Sequence, residues 1–371
     1  MNWAFVHSRD GCVRYAAPPS AAAWAWTVRP VSLLLELDLS SGARPASGPI
    51  LHVARRGPVR RLLSLLLLDD GRLHLTHRAG PVSVTLGLSL TEEERLTLVR
   101  VSYVRASSGT ARLTAEFPLL GRVKQTETVG APGLDPGDVD MTCAREGSSG
   151  EGRAPEDGAL APDWMAAGCG AYPLGFGAAL AGPARIATPY GPRRIDTLRP
   201  GDPVLTADGA VVPVLGVTHV RVPALGSFRP VRLAAPYHGL DSDALVSPFQ
   251  RLALNDPEVE YQTGHDAVLI EARHLLDDHS AIPEDGRAVF DWHGLVLPRH
   301  DMVLVGGCAM ETVDGAALLR SPRIAAISAL APFLSSLPRT PERRPLPREV
   351  HGAEARALVQ SLKRRNGPLA A

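Results

Sequence analysis

A chain of 371 residues with 39 Lys+Arg and 39 Asp+Glu has a formal net charge of +0, so no global field draws it to nucleic acid or an anionic membrane. Its length allows two domains with sizeable cores, and 35 Gly, 33 Pro and only 5% aromatics suit turn-rich β structure. Cys12, Cys143, Cys169 and Cys308 are widely spaced with no CxxC pair, which indicates neither a disulfide framework nor a zinc knuckle, and no cofactor is expected.

The opening MNWAFVHSRDGCVRYAAPPS lacks a basic start followed by an apolar core. The expectation is no signal peptide, with a cytoplasmic location or export by a leaderless route. Leu62 to Leu68 is too short to cross a bilayer and runs at once into Asp69-Asp70-Gly71, so no membrane span is expected.

Residues 1–130 read as an antiparallel β-sandwich. Leu33, Leu35, Leu37 and Leu39 share one face of a strand whose other face carries Glu36 and Asp38. Val82 to Leu90 alternates strictly, the period of a half-buried strand. Leu62–Leu68 and Arg72–His77 read as a hairpin about Asp69-Asp70-Gly71, and Leu96–Val104 pairs with Arg112–Phe117 across Ser107-Ser108-Gly109. The phrases LLSLLLLDDGRLHL, RLTLVRVSYV and RLTAEF resemble a laminin-G or concanavalin-like jelly roll. That resemblance implies a lectin-like domain with a glycan partner, although no acidic calcium loop is present. Trp24 and Trp26, two apart, could stack on a sugar or cover a sheet.

Residues 131–163 are rich in Gly, Pro, Ser and acidic side chains without apolar period, and read as a flexible linker. Beyond it, residues 164–315 are organised around PARIATPYGPRRIDTLRPGDPVLTADG. Its breakers Pro189-Tyr190-Gly191-Pro192, Pro200-Gly201-Asp202 and Asp208-Gly209 divide short strand candidates at 184–188, 193–198 and 204–206. Downstream come Asp243 to Arg251 (DALVSPFQR), Leu269 to Leu275 (LIEARHL), and FDWH followed by RHDMVL up to Leu304. In this order the stretches resemble a Hint domain, the self-processing module of inteins and hedgehog proteins, in its bacterial form.

The resemblance implies a β fold and cysteine-dependent autoproteolysis. A cysteine at the first residue attacks the preceding carbonyl in an N–S acyl shift, helped by a Thr/Ser-x-x-His block whose histidine protonates the departing nitrogen. Carried over residue by residue, the cysteine position is Ala179 and the family's Gly-Thr is Pro183-Ala184. The hydroxyl of the second block is kept as Ser247, but its histidine is Gln250, which carries no proton as imidazole does. His300 matches a histidine of the last strand pair. The reading is a catalytically degenerate Hint protein, not an active enzyme, with a structural or binding role toward a protein or glycan partner. Two alternatives stay open: residual cleavage near residues 168–180 through Cys169, and a glycan-binding role for the sandwich. A metal site from His265, Asp266, His293 and His300 matches no known ligand spacing, so no metal is expected. The remainder, 316–371, reads as a helical tail. Ile324, Ile327, Leu330 and Ala331 keep helical spacing until Pro332, and Ala355, Leu358, Val359 and Leu362 form an apolar stripe to dock on a partner or on this chain's own domain.

Overall fold

The computed structural model describes residues 1–8, 11–14, 29–40, 46–135, 138, 160–277, 279–338 and 345–366. It is mainly β and divides into two compact units, Met1–Tyr172 and Pro173–Ala371. Trp24, Trp26 and Cys143 lie outside the described residues.

The first unit is a sandwich of a seven-stranded and a four-stranded antiparallel sheet. The four-stranded sheet is a meander, Gly48–Arg55, Arg61–Leu67, Arg72–Ala79 and Val82–Ser89, and contains the hairpin expected around Asp69-Asp70-Gly71. Gly71 sits at φ 79°, a backbone only glycine adopts cheaply. Leu98–Arg105 pairs with Ala111–Phe117 as the sequence predicts. Leu33, Leu35, Leu37, Val101, Leu113 and Phe117 of one sheet and Leu63, Leu65, Leu73, Leu75 and Leu86 of the other form a single apolar core. Such alternate positions all fall on one sheet face, which is why the period-2 pattern could be read directly.

The opposite face of the seven-stranded sheet also holds buried polar groups. Glu36, on the strand face away from the leucines, is 2% exposed and accepts a hydrogen bond from the Trp164 indole at 3.1 Å. Glu116 is likewise buried and accepts from the Tyr172 hydroxyl at 3.0 Å. A buried carboxylate needs such donors, and these come from residues more than fifty positions away in sequence.

The expected domain limits also shift. Trp164–Cys169 is a strand of the first unit, between Val31–Asp38 and Asn2–Ser8, rather than the start of the second. Residues 131–163 therefore connect two strands of one sandwich instead of joining two domains. Leu134 and Leu160 are fully buried in its core, and Asp138 pairs with Arg61 at 2.7 Å and Arg55 at 3.3 Å.

The second unit contains a six-stranded sheet, a seven-stranded sheet and a two-stranded hairpin of Pro203–Leu205 with Val211–Pro213. The strand candidates around Ile186 shrink to Arg185–Ile186 and Arg193–Arg194 because the breakers leave room for little more. The helix expected from Arg323 is broken into Pro322–Ala325 and a 3-10 turn at Ala331–Phe333. Between them Ile327 and Ala329 spend backbone hydrogen bonds on Leu174, at 3.1 and 3.0 Å, so the helical ladder cannot continue.

The tail is docked on its own unit. Arg348–Glu349 adds in parallel to Val268–Glu271, and the helix Gly352–Asn366 places Ala355, Leu358 and Val359 in the second core. A neighbouring helix, Pro257–Thr263, shows how local sequence sets an element. Asp256 caps it by accepting from the Glu258 amide, Pro257 opens it, and Gly264 closes it at φ 70°. Asp256→Ala is expected to cost about 1 kcal/mol of second-unit stability, measured by urea unfolding.

Candidate functional site

Ala179 immediately precedes the strand Leu180–Ala181, which lies between Ala244–Val246 and Val289–Val296 in the six-stranded sheet. Its methyl group is buried, at 5% exposure, and its carbonyl accepts the Ser247 amide at 2.8 Å. The Ser247 hydroxyl donates to the Gly177 carbonyl at 2.6 Å. Ser247 thus grips the main chain on both sides of the Ala178 position. The structure therefore brings Ser247 to the main chain around Ala179, whose side chain is a buried methyl group.

Ser247 to Gln250 is the turn that carries the chain from Ala244–Val246 in one sheet to Arg251–Leu254 in the other. Pro248 suits such a corner, and the Gln250 amide closes it on the Ser247 carbonyl at 3.0 Å. The Gln250 side chain is 1% exposed. Its amide nitrogen donates to the carbonyls of Glu311, at 2.9 Å, and Arg251, at 3.0 Å. A carboxamide held by two main-chain acceptors is a structural tie.

Glu311 links this turn to the last strand pair, Met302–Val305 with Cys308–Glu311. Its carboxylate, almost wholly buried, pairs with Arg251 Nε at 2.6 Å and lies 3.5 Å from His300 Nε2. Arg251 also pairs with Glu349 of the tail. Burial works against charge on Arg251, but the two carboxylates outweigh it and hold its guanidinium more firmly protonated. Of the expected positions, the structure joins Ser247 to the Ala179 main chain, and Gln250 to His300 through Glu311. The charged triad of Arg251, Glu311 and Glu349 was missed in the sequence. Its one local signal is Glu311 itself, a carboxylate closing the apolar strand Cys308–Glu311.

Cys169 belongs to the first unit, opposite Asn2 and Val31 on its neighbouring strands. Desolvation pushes its thiol up more strongly than the Arg29 charge draws it down, the reverse of an activated nucleophile. Cys308 is 2% exposed in the second core, and burial pushes its thiol up to about 12. His265 is exposed while His300 is turned to Glu311, and among the described residues no group of three or more ligating side chains already surrounds one point.

The second unit is a β module whose corner turn, Ser247 to Gln250, passes between its two larger sheets. Residues 178–316 match the family model of the Hint domain, so this unit carries a Hint domain. Among solved structures, an AceL NrdHF class 3 split intein is 14% identical with a TM-score of 0.26, covering 37% of this chain and 98% of that one. The MchDnaB-1 intein is 16% identical with a TM-score of 0.23, covering 36% and 98%. The LG1-3 region of the laminin alpha2 chain is 8% identical with a TM-score of 0.24, covering 85% of this chain and 56% of that chain. No curated protein matches the chain.

Proposed function

We propose that this Hint domain has lost self-cleavage and acts as a structural or binding module. The observation that carries this reading is Ala179: the strand that would present a cysteine presents a buried methyl group. Two further features support it. Gln250, which stands at the family's histidine position, is committed to main-chain carbonyls, and Ser247 has its hydrogen on the Gly177 carbonyl. An N–S acyl shift needs a thiolate and a proton donor for the leaving nitrogen, and neither residue supplies one. Against Cys169 as a substitute, desolvation pushes its thiol up, away from the thiolate that attack needs.

The test is intact mass of the full chain, tagged at both ends and incubated with and without a thiol, beside Cys169→Ala. A single unchanged mass in every tube is expected. Thiol-stimulated fragments divided between Gly168 and Ala179, absent from the variant, would overturn the reading.

A further inference from the structure

A net charge of zero conceals a separation of charge along the sandwich of the first unit. His77 and Tyr103 meet across its core, so Arg72–Ala79 and Leu98–Arg105 end on the same side. The turns of the four-stranded sheet at that end follow Arg55 and Ala79. They carry the run Arg55-Arg56-Gly57-Pro58-Val59-Arg60-Arg61, with Arg78 beside it. The Gly80 amide donates to the Arg60 carbonyl at 2.8 Å, and Arg78 Nε donates to the Gly80 carbonyl at 3.0 Å. The two turns therefore form one surface. At the opposite end of the sandwich the turns expose Asp69, Asp70, Glu92 and Glu93, with Arg72 against Asp70 and Arg122 against Glu93.

Neutralisation at the basic end is partial. Asp135 and Asp138 are taken up by Arg55 and Arg61, and Glu127 pairs with Arg112. Arg60 and Arg78 remain exposed, so the described residues of this end keep a surplus of positive charge. Apolar groups lie in the same surface. Val59 is 49% exposed and Val82, at the head of the next strand, 43% exposed. Pro58 and Pro81 are exposed beside them. Val59 packs over Gly80, its Cγ1 3.4 Å from where a Cβ would stand, which holds the apolar tip amid the arginines.

We propose that this end of the sandwich docks on an anionic lipid surface, with Pro58 and Val59 entering between headgroups while Arg60 and Arg78 meet their phosphates. A hydrophilic polyanion would neutralise the arginines but leave the valines in water. The boundary between headgroups and acyl chains takes both, because an arginine stem lies along hydrocarbon while its guanidinium stays at the phosphate. Strands of eight residues set the two ends about 26 Å apart, roughly three Debye lengths at physiological salt, so the acidic end does not cancel the attraction. The contact is peripheral: among the described residues no helix is long and apolar enough to cross a membrane, and two valines bury too little to anchor alone. It belongs to the first unit and does not depend on whether the second cleaves itself.

The experiment is co-flotation of the full-length protein with vesicles of phosphatidylcholine, either alone or with about one third phosphatidylglycerol. Binding to the anionic vesicles only, lost between about 0.1 M and about 0.5 M salt, is expected. An arginine near an anionic surface strengthens binding roughly fivefold, so Arg60→Gln combined with Arg78→Gln should weaken it roughly 25-fold. Val59→Ser should weaken it several-fold at unchanged charge, and Arg72→Gln, at the acidic end, should leave it as in wild type. The replaced side chains are exposed, and an unchanged urea midpoint confirms that each variant keeps the fold. Wild-type protein that stays behind at the lower salt, or a double variant that floats as well as wild type, would overturn the proposal. So would full binding by Val59→Ser, which would make the surface a site for a hydrophilic polyanion instead.

Discussion

Replacing Arg251 by alanine is expected to destabilise the second unit by about 3–5 kcal/mol, because it strands a buried carboxylate. The Glu311 side chain is 3% exposed and its main charge partner is Arg251, at 2.6 Å. The same guanidinium holds Glu349, and with it the strand Arg348–Glu349 that leads into the tail helix. One substitution therefore breaks an ion pair in the core and a tie to the tail. Much of the loss is the penalty on the orphaned charge rather than the worth of the pair itself. It follows that Arg251→Met combined with Glu311→Leu should recover most of the stability lost in Arg251→Ala. Urea unfolding of the single and double variants, with hydrogen exchange on Arg251–Leu254, measures both. A single-variant loss below about 1 kcal/mol would mean that Glu311 finds solvent in the native state.

Acid should weaken the first unit between about pH 6.5 and pH 4 through one buried histidine. His77 is 1% exposed between the two sheets, its Nδ1 2.7 Å from the Tyr103 hydroxyl and its Nε2 without a partner. Desolvation, then the charges of Arg61 and Arg105, lower it from 6.5 to about 4. The folded pKa lies below the unfolded one, so the unfolded chain takes the proton first as pH falls. Stability is complete above pH 6.5, declines through the window, and stops declining from this source below pH 4. A shift of that size corresponds to at most about 3 kcal/mol. Unfolding free energies of wild type and of His77→Leu with Tyr103→Phe, taken at pH 7 and pH 4.5, isolate this contribution. The paired substitution avoids leaving the Tyr103 hydroxyl unpartnered, and its curve should be flatter across the window. Equal slopes in the two proteins would contradict the assignment.

Both residues show where sequence reading stops. The alternation that put Leu73 and Leu75 inside also puts His77 inside, but nothing local names Tyr103 of the other sheet as its partner. Arg251 sits beside a turn legible from Ser247-Pro248, yet Glu311 and Glu349 are 60 and 98 positions away by subtraction of their numbers. Trp164 to Cys169 was assigned to the second domain because a polar stretch precedes it. Only sheet pairing reveals it as an inner strand of the first.

The sequence by itself determined the β character of both halves, the hairpins, the order of the Hint stretches, and the identities of Ala179 and Gln250 within them. Each of these is encoded locally, in period-2 alternation, turn residues with fixed backbone preference, or the identity of one side chain. Tertiary structure alone decided that Gln250 ties a sheet corner to Glu311, that the tail docks on its own unit, and that the turn before Arg61 meets the turn at Gly80. Those facts depend on register and on contacts between distant segments. A one-residue slip in pairing would turn every side chain to the other face, and no local pattern fixes which distant strand supplies the partner.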